Sequence, residues 1–333
     1  MTNKRASTWS PVPHSRQTGL TLVELLMAVV VAAILFSGIA SLAFQSLDIH
    51  QNVASRAQLT RDARFAMLKI QAALAHSSHL ILPQRDNPAT NWPENLREET
   101  VPPSPPVGDS SYATAVLAMT LPAAFDLDGN GTADADDDAD GRIDEDPSGD
   151  QSNDNKAGIA LIDDDGDGDV DEGGKEDEDE DGQTNEDGQD GRDTDSDGRI
   201  DEDPRATLDH NSCSGRCGVD DDNDGGIDEG NLNDDDEDGL IDEDWQNPVV
   251  FYLDNGNLMQ RLPVPWDIHG GSDIDGNDYL PLLLTGNVTH FRVERLSASE
   301  GGRDLIDLTL VLTDSHTGEA VSINTQVLPG SAL

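Results

Sequence analysis

Cysteine is nearly absent from this chain: two residues in 333, Cys213 and Cys217. A disulfide framework is excluded, and two thiols are too few for a zinc site. In an exported protein they suit a local disulfide, with free thiols as the alternative. Bases are scarce as well: 20 Lys and Arg stand against 68 Asp and Glu, for a formal charge of −48. A surface this acidic repels nucleic acid and anionic lipid. No nucleophile motif and no phosphate-binding glycine loop occurs, and the eight histidines form no ligand spacing. Nothing in the sequence therefore marks an enzyme.

What is present begins with Gly19–Phe44, whose stretch Leu25–Phe36 is apolar without a break. As a helix, residues 20–44 would be roughly 37 Å long, enough to cross a hydrocarbon layer of about 30 Å with some tilt. Glu24 does not belong in such a run, because a charge at bilayer depth costs at least about 2.5–3.5 kcal/mol. A partner charge is implied. Lys4, Arg5 and Arg16 precede the run with no acid among residues 1–19, so the N-terminus should stay cytoplasmic and the rest be exported.

The junction Thr18-Gly19-Leu20-Thr21-Leu22-Val23-Glu24 resembles the class III signal of type IV prepilins and pseudopilins. That signal has a basic leader, Gly at its end, a hydrophobic first mature residue and Glu at mature position five. The family usually begins its mature chain with Phe, where this one has Leu20. The resemblance implies that a prepilin peptidase cuts between Gly19 and Leu20 and methylates the new amine. It implies too that Glu24 meets the N-terminal amine of a neighbouring subunit, or its own, as helices pack into a filament with other pilin or pseudopilin subunits. In a dry bundle such a charge pair sets registry, since either partner alone is costly. A plain anchor and a Sec signal peptide are the alternatives. Against the latter, the run exceeds an h-region of 7–15 residues and no small-x-small site follows cleanly.

Beyond the run the helical pattern continues. Leu59, Phe65, Leu68, Ile70 and Leu74 mix with Arg56, Arg61, Asp62, Arg64 and Lys69, with no Gly or Pro before Pro83. One helix is expected from about Leu20 to about Ser78. Residues 63–81 are similar to the corresponding helix of W-type minor pilins and J-type pseudopilins. Residues 83–110 are proline-rich and read as an extended loop. Strands are expected at Ala113–Leu121, at Val249–Leu253 and Leu258–Leu262 around an Asn255-Gly256 turn, at Val288–Leu296, and over the alternating runs Ile306–Thr313 and Val321–Val327. The fold class is α+β and pilin-like: a long N-terminal helix against an antiparallel sheet of four to six strands. The domains follow as a leader (1–19), the helix (20–82), a head (83–123 with 248–333) and an acidic insertion (124–247).

Residues 126–244 hold 49 of the 68 acids and 7 of the 20 bases, a net of −42 that leaves −6 for the remainder. Such a block cannot collapse without counter-ions. Inside it the pattern D-x-D-x-[DN]-G-x-x-[DN] recurs seven times. The first two loops are Asp126/Asp128/Asn130/Asp134 and Asp136/Asp138/Asp140/Asp144, and the third and fourth are Asp163/Asp165/Asp167/Asp171 and Asp177/Asp179/Asp181/Asn185. The fifth is Asp193/Asp195/Asp197/Asp201, the sixth Asp220/Asp222/Asp224/Asp228 and the seventh Asp234/Asp236/Asp238/Asp242. Side chains at positions 1, 3 and 5 converge as the backbone turns at the Gly of position 6, position 9 adds a carboxylate or a water, and hard oxygen ligands favour calcium. A shift of 57 residues superimposes the second to fourth loops on the fifth to seventh, and GRIDEDP recurs at 141–147 and 198–204. A three-loop unit has been duplicated.

Position 12, a bidentate carboxylate in EF-hands, is Asp137 in the first loop, as in dockerin-type loops, but Pro147, Gly174, Gly188, Pro204, Asn231 and Trp245 in the others. Acids at positions 10 and 11 (Glu145/Asp146, Glu202/Asp203, Glu243/Asp244) are expected to complete the shell. The array resembles the calcium-filled repeats of thrombospondin type 3. The insertion is expected to be disordered without metal and to order on calcium, with a disordered acidic linker as the alternative. Asp273/Asp275/Asn277 lacks the Gly and reads as a polar turn. The whole describes a minor pilin or pseudopilin of a type IV pilus or type II secretion-like filament. It would sit N-in in the inner membrane before assembly and in a periplasmic or cell-surface filament afterwards. The alternative is a pilus-borne, calcium-dependent adhesin.

Overall fold

The computed structural model describes residues 21–85, 93–101, 115–144, 148–184, 213–215, 217–234, 236–241, 244–271, 274–296 and 304–330. Helix α1 spans Leu22–His76, and the chain divides into two compact units at Ala54/Ser55. In the first unit the large apolar side chains of α1, from Leu22 to Val53, are exposed. Among the described residues this is the one helix long and apolar enough to cross a membrane.

The second unit holds the rest. Its share of α1 buries Leu59, Ala63, Ala66, Met67, Ile70 and Leu74, spaced three and four apart along one stripe. Phe65 and Leu68, apolar residues of the same helical pattern, are exposed. The helix ends two residues short of Ser78, where Ser77 Oγ donates to Leu74 O (3.0 Å) and the Gly330 amide donates to the same carbonyl (3.0 Å). Those bonds satisfy a carbonyl that the last turn leaves open.

Among the described residues nine strands follow: β1 Leu80–Leu82, β2 Leu96–Thr100, β3 Val116–Thr120, β4 Pro248–Asp254, β5 Asn257–Pro263, β6 Tyr279–Thr285, β7 Val288–Leu296, β8 Leu305–Thr313 and β9 Ala320–Val327. They form two antiparallel sheets, in the orders β1-β3-β4-β5-β6 and β2-β7-β8-β9. The architecture is thus α+β and pilin-like, but the single sheet of four to six strands is corrected to two. The reading of 83–110 as loop is corrected too: β2 lies inside it and pairs with β7. The segment 20–82 also ends in strand β1, not helix.

Both sheets and the helix share one core, in which Phe251, Phe291, Ile306, Leu308, Leu310 and Leu312 are fully buried. The β4–β5 hairpin closes on Asn255 and Gly256, both at positive φ (48° and 80°), the geometry an Asn-Gly turn supplies at low cost. Strand β3 is buried on both faces. Leu117 and Met119 face the main core, while Val116 and Ala118, with Val250 of β4, pack against Ile159 and Ile162. Those two isoleucines belong to the acidic stretch between β3 and β4, which neighbour each other in the sheet. Where this stretch leaves and returns, the Leu121 amide donates to Asn247 O (2.9 Å). Among its described residues it has neither helix nor strand.

Candidate functional site

At the start of α1, Thr21 and Glu24 bond reciprocally. The Glu24 amide donates to Thr21 Oγ1 (3.3 Å), and Glu24 Oε2 accepts from the Thr21 amide (3.2 Å) and hydroxyl (3.1 Å). This is a capping box, T-x-x-E, which satisfies two open amides at the helix N-terminus. Within one chain Glu24 therefore has a local role besides any partner in an assembly. Gly19 and Leu20 lie outside the described residues.

The acidic loops are built on a shared local geometry. In each of the six described in part or whole, the position-3 carboxylate accepts the amide of position 5, and the position-5 oxygen accepts the amide of position 7. Asp128–Asn130–Thr132 (2.9 and 2.6 Å), Asp138–Asp140–Arg142 (2.9 and 2.7 Å) and Asp165–Asp167–Asp169 (2.8 and 2.8 Å) show it. So do Asp179–Asp181–Gln183 (3.4 and 2.9 Å), Asp222–Asp224–Gly226 (2.8 and 2.8 Å) and Asp236–Asp238–Leu240 (3.2 and 2.8 Å). Position 6 is Gly at φ between 89° (Gly182) and 108° (Gly168). A Cβ there would meet nothing within 4 Å, so dihedral angle and not space demands glycine. Position 4 is also left-handed in all six: Gly129, Ala139, Gly166, Glu180, Asn223 and Glu237, at 63–88°.

This winding gathers oxygens. One ligand atom each from Asp126, Asp128 and Asp134, from Asp136, Asp138 and Asp140, and from Asp163, Asp165 and Glu180 lie within 4.8 Å of one another. That limit is the span across a calcium ion bonded at about 2.4 Å. Asp136 Oδ1, Asp220 Oδ1 and Asp234 Oδ1, all at position 1, are buried with no hydrogen-bond partner among the described residues, and so is Asp134 Oδ1 at position 9. Burial, reinforced by neighbouring carboxylates, pushes the carboxyls of Asp134 and Asp138 up and that of Asp165 to about 7. Glu180 is pushed to about 10 by burial and then by the charge of Asp164. Buried oxygens without donors, crowded by like charge, fit a hard divalent cation.

Asp171, expected at position 9 of the third loop as a metal ligand, has both carboxylate oxygens engaged by groups of the chain. Its Oδ1 accepts the Leu161 amide (2.7 Å), and its Oδ2 accepts from the Lys156 ammonium (3.0 Å). The backbone of Asp171 is left-handed (φ 53°), and the side chain braces the turn that precedes the loop. Both oxygens of Asp171 take part in that brace. Its equivalent in the sixth loop, Asp228, makes the matching bond, with Oδ1 accepting the Gly218 amide (2.6 Å).

Asn185, Asp193, Asp195, Asp197, Asp201 and Asp242 lie outside the described residues, as do Glu145, Asp146, Glu202, Asp203, Glu243 and Asp273. Asp244 is described, and its carboxylate accepts the amides of Asp137 (2.9 Å) and Asp144 (2.6 Å), bracing the second loop from the seventh. Asp137 Oδ2 accepts from Asn247 Nδ2 (2.9 Å). Arg142 of the second loop bonds Asp236 of the seventh (2.8 Å) and Asp221 O (2.8 Å), so the two copies of the duplicated unit touch. Cys213 and Cys217 form a disulfide. Asp275 Oδ1 accepts the Asn277 amide (2.8 Å), a polar turn.

Three features escaped the sequence. Asp150, Ser152 and Asp154 form a short loop wound like the others, with Asn153 and Asn155 at positive φ (50° and 64°). The Lys175 ammonium stands 3.8 Å from Asp150. The D-x-S-x-D-N spacing could have revealed it. Second, two buried arginines of the head hold the insertion by its backbone. Arg97 of β2 donates to Asp163 O (2.9 Å) and to Asp164 O, and Arg261 of β5 donates to Ala160 O (2.6 Å) beneath the Tyr279 ring. Third, Glu180 and Glu237 carry buried carboxylates at position 4.

A family model described as the prokaryotic N-terminal methylation motif matches residues 14–40. The match supports a type IV pilin-like protein, the kind of chain that a prepilin peptidase processes and that assembles with other pilins. No curated protein and no solved structure matches the chain.

Proposed function

We propose that this chain is a minor pilin or pseudopilin of the W or J type, whose head carries a calcium-stabilised insertion on the surface of a type IV pilus or type II secretion-like filament. The observation that carries the filament reading is the methylation motif over residues 14–40, lying at the start of a helix whose apolar side chains are exposed in the single chain. A bilayer would cover those side chains before assembly, with the basic leader on the cytoplasmic side, and neighbouring helices would cover them afterwards. Cleavage after Gly19 would free the amine of Leu20. Glu24 engages Thr21 through Oε2, which leaves Oε1 for an amine of a neighbouring subunit.

In the insertion, the carboxylates at positions 1, 3 and 5 and the carbonyl of position 7 would hold calcium. The bound ion would supply positive charge where burial has gathered negative charge, and would cross-link turns that have no ladder of their own.

The experiment is N-terminal sequencing and mass analysis of the protein recovered from cells. It should begin at Leu20 with a methylated amine, and Glu24→Ala should abolish incorporation into filaments. A recovered chain that retains residues 1–19, or a Glu24→Ala chain that assembles as well as wild type, would overturn the filament reading.

A further inference from the structure

The third and sixth loops, equivalent under the duplication, have Gly174 and Asn231 where a position-12 carboxylate would close the shell. In the third, both oxygens of Asp171 at position 9 also accept bonds, from Lys156 and from the Leu161 amide. In both loops a glutamate from the following loop reaches across. Glu180 is 3 % exposed, and its Oε2 accepts the Asp164 amide at 2.7 Å. Glu237, 57 residues on, is 5 % exposed, and its Oε2 accepts the Asp221 amide at 2.9 Å. In each the other oxygen, Oε1, is buried without a hydrogen-bond partner among the described residues. A ligand oxygen of Glu180 lies within 4.8 Å of ligand oxygens of both Asp163 and Asp165.

A buried carboxylate oxygen with no donor is costly unless something positive meets it. The arginine beside the third loop, Arg97, donates to the backbone carbonyls of Asp163 and Asp164, and its Nη1 stands 4.0 Å from Asp163 Oδ1. Among the described residues Glu180 Oε1 has no hydrogen-bond donor, cationic or neutral. Position 4 is left-handed at both glutamates, as in all six described loops, which turns each side chain out of its own loop's winding at the same point of the repeat. The same side chain, anchored by the same bond, recurs in both copies of the unit.

We infer that Glu180 is a calcium ligand of the Asp163/Asp165 loop and Glu237 a calcium ligand of the Asp220/Asp222 loop, each replacing from the next loop the carboxylate missing at position 12. The inference rests on the calcium reading above and goes beyond it by naming ligands outside the repeat's own motif. Loops three and six then cannot bind as isolated beads, because each borrows a residue wound into its successor.

The test is calorimetric calcium titration of the full-length protein in detergent, for wild type, Glu180→Gln, Glu237→Gln, the double variant and Glu176→Gln. Glu176 is an exposed acid between the third and fourth loops and belongs to neither. Its substitution removes the same charge without touching a ligand position. Each Gln variant at 180 or 237 should weaken one site by about tenfold or more, and the double variant two sites, the range seen when a ligand's support is lost. Glu176→Gln should stay within about twofold of wild type, as expected for an exposed charge. Glutamine can keep the bond to the backbone amide, and if one variant folds poorly the other carries the same test in the second copy. Variants at 180 and 237 that titrate like Glu176→Gln overturn the assignment and leave the calcium reading standing. A wild-type protein that takes up no calcium overturns both.

Discussion

In the head, the residues taken out of water are Phe251, Phe291, Ile306 and Leu310, and their backbones pair along two sheets. In the acidic stretch between β3 and β4, the residues taken out of water include Asp136, Asp163, Asp165, Asp177, Asp234, Glu180 and Glu237. Their carboxylates bind the turns' own amides. The head gains free energy by burying apolar surface, which needs no solute. The insertion removes charge from water, which is unfavourable until a cation joins it. On the calcium reading proposed above, one chain thus contains a region whose core needs no solute and a region whose stability depends on what is dissolved around it.

Calcium removal should separate the two most sharply. With a chelator, the acidic stretch of the full-length protein should become open to a glutamate-specific protease while α1 and the strands of the head resist. Gel mapping of the fragments with and without calcium checks this, and equal resistance in both would erase the contrast. The next largest effect lies in the head. Phe251→Ala should cost about 3–5 kcal/mol, as large-to-small changes at fully buried aromatic positions do, and the cost read by denaturant unfolding should be the same with and without calcium. A calcium-dependent cost would mean that the two regions do not fold on separate terms.

The smallest effect is a pH dependence of the head. Burial, followed by the charge of Arg295, lowers the His79 pKa from 6.5 to about 4. The unfolded state therefore binds more protons than the native state between those values, and stability falls as pH drops through that window. Since the ring is only half-buried, the loss should be about 1–2 kcal/mol. His79→Gln should flatten the slope of unfolding midpoint against pH between about 6.5 and 4.

Much of this division was legible in the sequence, for definite reasons. The strict alternation of Ile306, Leu308, Leu310 and Leu312 and the Asn255-Gly256 turn are local signals, and strands β8, β4 and β5 lie where these put them. Strand β1 is three residues long, too short for any period. Strand β2 reads LREET among prolines, and its place is set by pairing with β7. Strand β6 contains Pro281, which an edge strand of the five-stranded sheet tolerates. In the loops, motif spacing gave positions 1, 3, 5 and 6. It could not give position 4, where Ala139, Glu180, Asn223 and Glu237 are left-handed, because no residue type there announces it. Nor could it give the partner of Asp171 at position 9 of the third loop, because Lys156 lies fifteen residues upstream and outside the motif. The T-x-x-E of Thr21 and Glu24 was visible, yet only as part of a processing signal. The reach of Arg97 and Arg261 is tertiary, and nothing local in the sequence encodes it.

Those two arginines limit how the chain can be cut. A shortened form joining β3 directly to β4 would strand two guanidinium groups inside the protein and bare the strip of Val116, Ala118 and Val250 that Ile159 and Ile162 now roof. Its failure in a filament would then report a damaged wall, not a lost ornament. An informative truncation keeps residues 148–184 as cladding and removes the second copy alone.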